Sequence, residues 1–189
     1  MVRTVFAASL AGLLTIAAVS AGAADKAIDG LKKGDPIGAF YVTKVAGATD
    51  DGVEQGQQLC YRCKYGSRPM VMVFARETGG KVNDLVSQLD QAVAQNKDAQ
   101  LRGFLTLIGG KKENLTKQAE KVASATKSKN FPIAVAEDTE NGPNSYQLDP
   151  NAEVTVVIAS DGEVVSRHSS KAADLDVAAV MNEVKSMLK

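Results

Sequence analysis

Residues 59–76 read LCYRCKYGSRPMVMVFAR and hold both cysteines of the chain, Cys60 and Cys63. They run into MVMVFA (70–75), a short continuous apolar segment. Such a run suits a central strand buried on both faces. Only KYGSRP separates Cys63 from Met70, so the pair enters the strand at its beginning. A strand rises about 3.3 Å per residue, so reaching its far end would require the connection to double back. The expectation is a Cys-x-x-Cys at the opposite pole, or on a flank, from the end where the strand leads into the next element.

Working outward, AFYVTKV within 36–47 has strand character, and ATDDGVEQGQQ (48–58) reads as a turn or loop. After the central strand, Val82, Leu85, Val86, Leu89 and Val93 recur at helical spacing. LRGFLTLI (101–108) is a second buried strand, ENLTKQAEKVASATKS (113–128) a second helix with Asn114 or Thr116 as its cap, and NFPIAVAED (130–138) a third strand. Residues 141–152 form a loop rich in turn formers. In VTVVIASDGEVVSRH (154–168), two β-branched runs flank Asp161-Gly162, which predicts a hairpin. The last segment is an amphipathic helix, capped by Asp174, with Val177, Val180, Met181, Val184 and Leu188 as its apolar stripe. Strands alternating with helices predict a parallel core sheet, with the hairpin antiparallel at one side. Right-handed crossovers predict helices on both faces.

The first 24 residues have the layout of a secretory signal peptide: Arg3, an uncharged stretch VFAASLAGLLTIAAVSAGAA, and small residues at Ala23 and Ala24 for cleavage. An uncleaved anchor is the alternative, although the stretch is diluted by Ala, Ser, Thr and Gly. No later segment is long and apolar enough to span a bilayer. Residues 25–35 form a polar lead-in, with one helical turn at most, and 36–189 a single domain. Lys plus Arg number 22 and Asp plus Glu number 22, with no basic patch in the sequence, so nucleic acid is not an expected partner. A signal peptide implies a periplasmic or secreted protein. In that oxidising compartment two cysteines three apart are a plausible disulfide bond.

PMVMVFAR, NFPIAVAED and AEVTVVIASDGEVV together resemble the thioredoxin-like superfamily, in particular its redoxin branch of peroxiredoxins and secreted thiol–disulfide proteins, over residues 36–188. LCYRCKYGSRPMVMVFAR also resembles small secreted proteins of this fold without assigned activity. The resemblance implies an α/β protein: a thioredoxin-like three-layer α/β/α sandwich with a mixed central sheet, an N-terminal strand extension, and a C-terminal β-hairpin plus helix. It also implies a reactive cysteine after the central strand, near the N-terminus of the following helix. Here that place is held by Arg76, Glu77, Thr78, Gly79 and Gly80, and the Thr-x-x-Cys of peroxiredoxins is missing. Glu153-Val154-Thr155 stands where thioredoxins carry a proline before the hairpin strand. A conventional peroxiredoxin mechanism therefore does not transfer.

Three readings of the pair stay open. The first is a CxxC redox dithiol, with Cys60 and Cys63 as the exchanging sulfurs, Arg62, Lys64 and Arg68 nearby to favour the thiolate, and a protein thiol or disulfide as partner. In the usual motif the first cysteine, here Cys60, attacks. The second is a structural disulfide in a non-catalytic binding module, with Tyr61 and Tyr65 as packing residues beside it. The third is a Cu(I) carrier. Two thiolates suit this soft ion, secreted copper chaperones of this fold use a paired-Cys and His set, and His168 is the only imidazole. Met70 and Met72 are read as core residues sharing one strand face with Phe74. Arg76, Glu77 and Thr78, with Glu153, form a second candidate site for an anion or a partner, against which stands a solvated ion pair. Gly79 and Gly80 are expected to make a strand-to-helix turn. Asn114-Leu115-Thr116 matches a glycosylation sequon, which matters only in a eukaryotic secretory pathway.

Overall fold

A computed structural model describes Met1 and residues 30–189. The signal segment after Met1 and the lead-in up to residue 29 lie outside the described residues. The elements in chain order are β1 (Val42–Ala46), β2 (Gln58–Leu59), α1 (Tyr61–Tyr65), β3 (Met70–Ala75), α2 (Gly80–Gln95), β4 (Arg102–Leu107), α3 (Lys112–Thr126), β5 (Ile133–Ala136), β6 (Val154–Ser160), β7 (Glu163–Ser170) and α4 (Val177–Met187). Two 3-10 turns, Asn144–Tyr146 and Ala172–Asp174, punctuate the second half.

The strands form one mixed sheet in the order β2-β1-β5-β4-β3-β6-β7. β3, β4 and β5 are parallel. β1 lies antiparallel to β5, and β6 antiparallel to β3. Every residue of β3 is buried, as the apolar run requires of a strand covered on both faces. Its side chains alternate. Val71, Val73 and Ala75 join the core under α2, α3 and α4. Met70, Met72 and Phe74 join the core on the opposite face, so both methionines are packing residues.

The two outer layers are unequal. The sheet is covered by helix on both faces, but all three long helices share one of them. β3→β4→β5 steps twice in the same direction, so crossovers of one hand place α2 and α3 together. The other face is covered by the short α1, the Asn144–Tyr146 turn and the segment around Ile37 and Phe40. Phe104 is at the centre of that face, fully buried, with Phe40, Tyr61 and Tyr65 ringed around it.

The predicted apolar stripe of α2 is buried in full. The hairpin turns at Asp161 (φ 56°) and Gly162 (φ 85°), both in the left-handed region that a two-residue turn of this type demands. Two helix starts differ from the sequence reading. Asp176, not Asp174, caps α4 by accepting the Ala179 N–H at 2.9 Å, because Asp174 is taken up in the preceding 3-10 turn. α3 begins after Lys111 with no side-chain cap, and the Thr116 hydroxyl bonds back to the Lys112 carbonyl inside the helix. Asn114 of the sequon is likewise helical. The described part of the lead-in, from Gly30, makes a turn closed by Lys32 N–H on the Asp35 carboxylate rather than a helix.

Replacing Phe104 by Ala removes the ring on which α1 rests. The expected loss is about 3–5 kcal/mol of unfolding free energy, read from the urea midpoint at unchanged slope.

Candidate functional site: a disulfide at the start of the central strand

Cys60 and Cys63 form a disulfide, with Cα atoms 5.2 Å apart. The chain reaches it from the β2 edge of the sheet and leaves it for β3, four positions away in the strand order. At about 4.8 Å per strand that is a traverse of about 19 Å, made by residues 60–69 beneath the face centred on Phe104. α1 is the middle of this traverse. Its burial comes from Tyr61 and Tyr65, one turn apart, whose rings lie 5.4 Å from each other and 5.2 and 6.1 Å from Phe104.

The site lies at the N-terminal pole of β3. The Asp161 N–H donates to the Ser67 carbonyl at 2.9 Å, which ties the α1–β3 connection to the β6–β7 turn. Arg68 Nε donates to Gln100 just ahead of β4, and its Nη1 to the Tyr65 carbonyl. α2 begins at the other end of β3, a strand of six residues. The pair is therefore at the opposite pole from the usual thiol position, as chain order implied.

A polar clamp fastens the traverse. Lys44 projects from β1 toward this face and is only 4% exposed. Its Nζ donates to the carbonyls of Ala48 and Val53, each at 2.8 Å, and to Asp51 Oδ1 at 2.7 Å. All three ammonium protons are thus engaged. Asp51 also accepts the Val53 N–H at 2.9 Å and, through Oδ2, the Tyr61 hydroxyl at 2.8 Å. Burial, then the Asp51 bond, push the Tyr61 phenol well above its ordinary pKa, so it remains a donor across the accessible pH range. Sequence reasoning passed over Lys44. The signal was there: it follows Phe40 and Val42 at strand alternation, so it falls on the core-facing side.

The two sulfurs have different surroundings. Cys60 is 8% exposed, whereas Cys63 is exposed. Cys60 precedes α1, and its Sγ accepts the Cys63 N–H at 3.1 Å. Facing away from Tyr61 and Tyr65, Cys63 has Arg62 and Lys64 as neighbours on the helix. Arg62 reaches toward the hairpin turn, its Nη2 3.5 Å from where a Cβ on Gly162 would stand.

His168 is not brought to the cysteines. It pairs with Val156 across the hairpin and so lies on the face covered by α4, with Nε2 2.8 Å from Glu183 Oε2. The parity of β7 decides this, and the Cys-Cys-His set is not assembled. Among the described residues no group of three or more His, Cys, Asp or Glu side chains is placed to hold a metal.

The C-terminal pole of β3, where the resemblance implied a reactive cysteine, is built from structural contacts. The Arg76 N–H bonds the Glu153 carbonyl, Arg76 Nη1 donates to the Glu140 carbonyl at 2.7 Å, and the Arg76 stem covers Gly109. Glu153 accepts the Ala172 N–H at 2.9 Å and pairs with Lys171 at 3.3 Å; the Ala172 bond leads in holding its carboxyl below the usual range. Glu77 is solvated. Gly79 and Gly80, both at positive φ, make the turn into α2.

A mixed sheet of this order, with three helices on one face and a hairpin-plus-helix at the end, is the thioredoxin-like fold. No family model matches the chain, nor does any curated protein. Solved structures do. The thioredoxin domain of a thiol-disulfide oxidoreductase from Bacteroides vulgatus superposes with a TM-score of 0.62 at 12% identity, over 84% of this chain and 99% of that one. AhpC from Mycobacterium tuberculosis gives 0.62 at 11% identity with the same coverage. A Chlorobium tepidum protein, provisionally described as a thiol:disulfide interchange protein DsbE, gives 0.62 at 16%, over 84% and 99%. At these identities the likeness is one of fold.

Asp51→Ala leaves the Lys44 ammonium buried without its counter-charge. We expect a loss of about 3–5 kcal/mol in chemical unfolding, with Lys44→Met in the same chain restoring part of it. At the other face, the Ser166 hydroxyl and then His168 hold the Glu183 carboxyl below its ordinary value. Its folded pKa is depressed, so its contribution is complete above the ordinary carboxylate range and is lost as pH falls through the folded value. Thermal melts across that acid range should therefore show Glu183→Gln with a flatter acid limb than the parent.

Proposed function

We propose that this protein is an exported, periplasmic or secreted thiol–disulfide exchange protein, in which the displaced Cys60–Cys63 pair cycles between disulfide and dithiol with protein thiols as partners. The observation that carries the reading is the asymmetry of the pair: an accessible Cys63 beside a Cys60 whose sulfur is shielded and receives a backbone N–H. Fold likeness to thiol–disulfide oxidoreductases supports the class of chemistry, and a disulfide supports an oxidising compartment.

The exchange follows from that asymmetry. A partner thiolate attacks Cys63 Sγ, the Cys60–Cys63 bond breaks, and its electron pair leaves on Cys60. The departing thiolate keeps the Cys63 N–H as donor, and hydrogen bonding to the charged form favours it. A second partner thiolate then attacks the mixed disulfide at the partner's own sulfur and releases Cys63. The partner is oxidised to a disulfide, the pair is reduced, and two protons are taken up on its sulfurs or by solvent. In the reverse direction Cys63 is the nucleophile and Cys60 resolves. This exchanges the roles of the usual motif, where the first cysteine attacks.

A structural staple is the second reading with an observation behind it, since Cys60 is nearly buried and its disulfide closes on the short α1. One experiment separates the two. In a redox buffer series an exchanging pair should equilibrate above about −300 mV, whereas a staple should stay oxidised below it. In single variants, Cys63 of Cys60→Ser should be alkylated about tenfold or more faster than Cys60 of Cys63→Ser, because reactivity tracks exposure and thiolate fraction. Only Cys60→Ser should accumulate mixed disulfides. A potential below the threshold, or faster alkylation at Cys60, overturns the proposal.

A further inference from the structure

Beside α1, on the side away from the hairpin turn, the surface falls into a cleft of about 480 Å³ at the N-terminal pole of the parallel strands. Its cations come from separate parts of the chain: Lys64 on α1, Arg68 before β3, Lys97 after α2, Arg102 opening β4, and Lys129 ahead of β5. Two carboxylates share it, Asp50 and Asp51. Asp51 is consumed by Lys44 and Tyr61. The cleft therefore concentrates positive charge on a chain whose totals balance. Among the described residues no ion pair engages any of the five cations. The sequence shows no basic patch because the fold alone gathers them.

We propose that this cleft holds an acidic polypeptide segment of the partner whose sulfur is exchanged at Cys63; this rests on the exchange reading above. Its breadth favours a chain over a small anion. From β3 to β5 is two strand spacings, about 10 Å, which three or four extended residues span. Among the described residues the only aromatic lining the cleft is Tyr65, and its ring is buried against Tyr61 and Phe104, so it offers no face for stacking a nucleotide base. Lys64, directly following Cys63, makes the cleft and the disulfide continuous along α1. A segment with acidic residues next to its cysteine would be steered into the cleft and presented to the accessible sulfur.

The test uses the full mature chain with three probes. A labelled, cysteine-free Glu/Gly peptide reads the cleft alone by fluorescence anisotropy. 2-Hydroxyethyl disulfide, small and neutral, reads exchange alone. Disulfide peptides differing only in Glu or Lys flanks read the two together. At low ionic strength the parent should exchange with the Glu-flanked peptide about tenfold or more faster than with the Lys-flanked one, and salt should erase the difference. Lys97→Glu with Lys129→Glu, both exposed, should collapse that ratio and the anisotropy signal. Equal rates for the two peptides, or a ratio unmoved by the double variant, overturn the proposal. So does a single-stranded oligonucleotide or inorganic phosphate that binds more tightly than the acidic peptide. Failure to reduce or form the neutral disulfide while the Glu/Gly peptide still binds removes the exchange reading and leaves a peptide cleft without chemistry, which also overturns this proposal as stated.

Discussion

Tyr61 is held at both ends. Its ring lies against Phe104 and Tyr65, and its hydroxyl donates to an aspartate already neutralising a buried lysine. The chain must pass from one edge strand to the centre of the sheet in ten residues, and this anchorage fixes its route. An unpaired Lys44 in that position would be costly, so the Ala48–Val53 loop folds around the ammonium and presents Asp51 to the traverse. The location of the disulfide follows. With Tyr61 and Tyr65 turned into the core, Cys63 is turned out and Cys60 is left in the shadow of the strand ends.

With both sulfurs at the start of β3, the far end of that strand holds no cysteine. At the start of α2 no thiol needs stabilising, and Arg76 and Glu153 are spent on holding loops together. That pole carries the ordinary burdens of stability. The other pole, where the strands begin, has the accessible sulfur and five cations that no ion pair among the described residues engages.

Much of this was legible in the residues and some was not, for definable reasons. The continuous run at 70–75 identified the central strand, and Val82 through Val93 declared one helical face. The Asp161-Gly162 pair marked the hairpin, and the short KYGSRP connection located the cysteines. α1 was not legible as a helix, because five residues are too few to establish a period. β2 is shorter still and exists only by pairing with β1. The sidedness of the long helices depends on the order of the strands, which no local pattern records. Lys64 and Lys129 are distant in sequence and adjacent in charge only because β3 and β5 start at the same pole.

The flanks of the sheet carry a further meaning. One border strand has just two residues, so it presents little open backbone. At the opposite border, the start of β7 is already sealed by residues 34–37, through Gly34 N–H on the Val164 carbonyl, Ile37 N–H on the Gly162 carbonyl, and Val164 N–H on the Asp35 carbonyl. Farther along, the ladder is irregular at Ile158 and Ala159. Past that point only Ser166–Ser170 keeps unbroken register, so the template left for a foreign strand is short. A partner strand would find little of this sheet's border free to lengthen it.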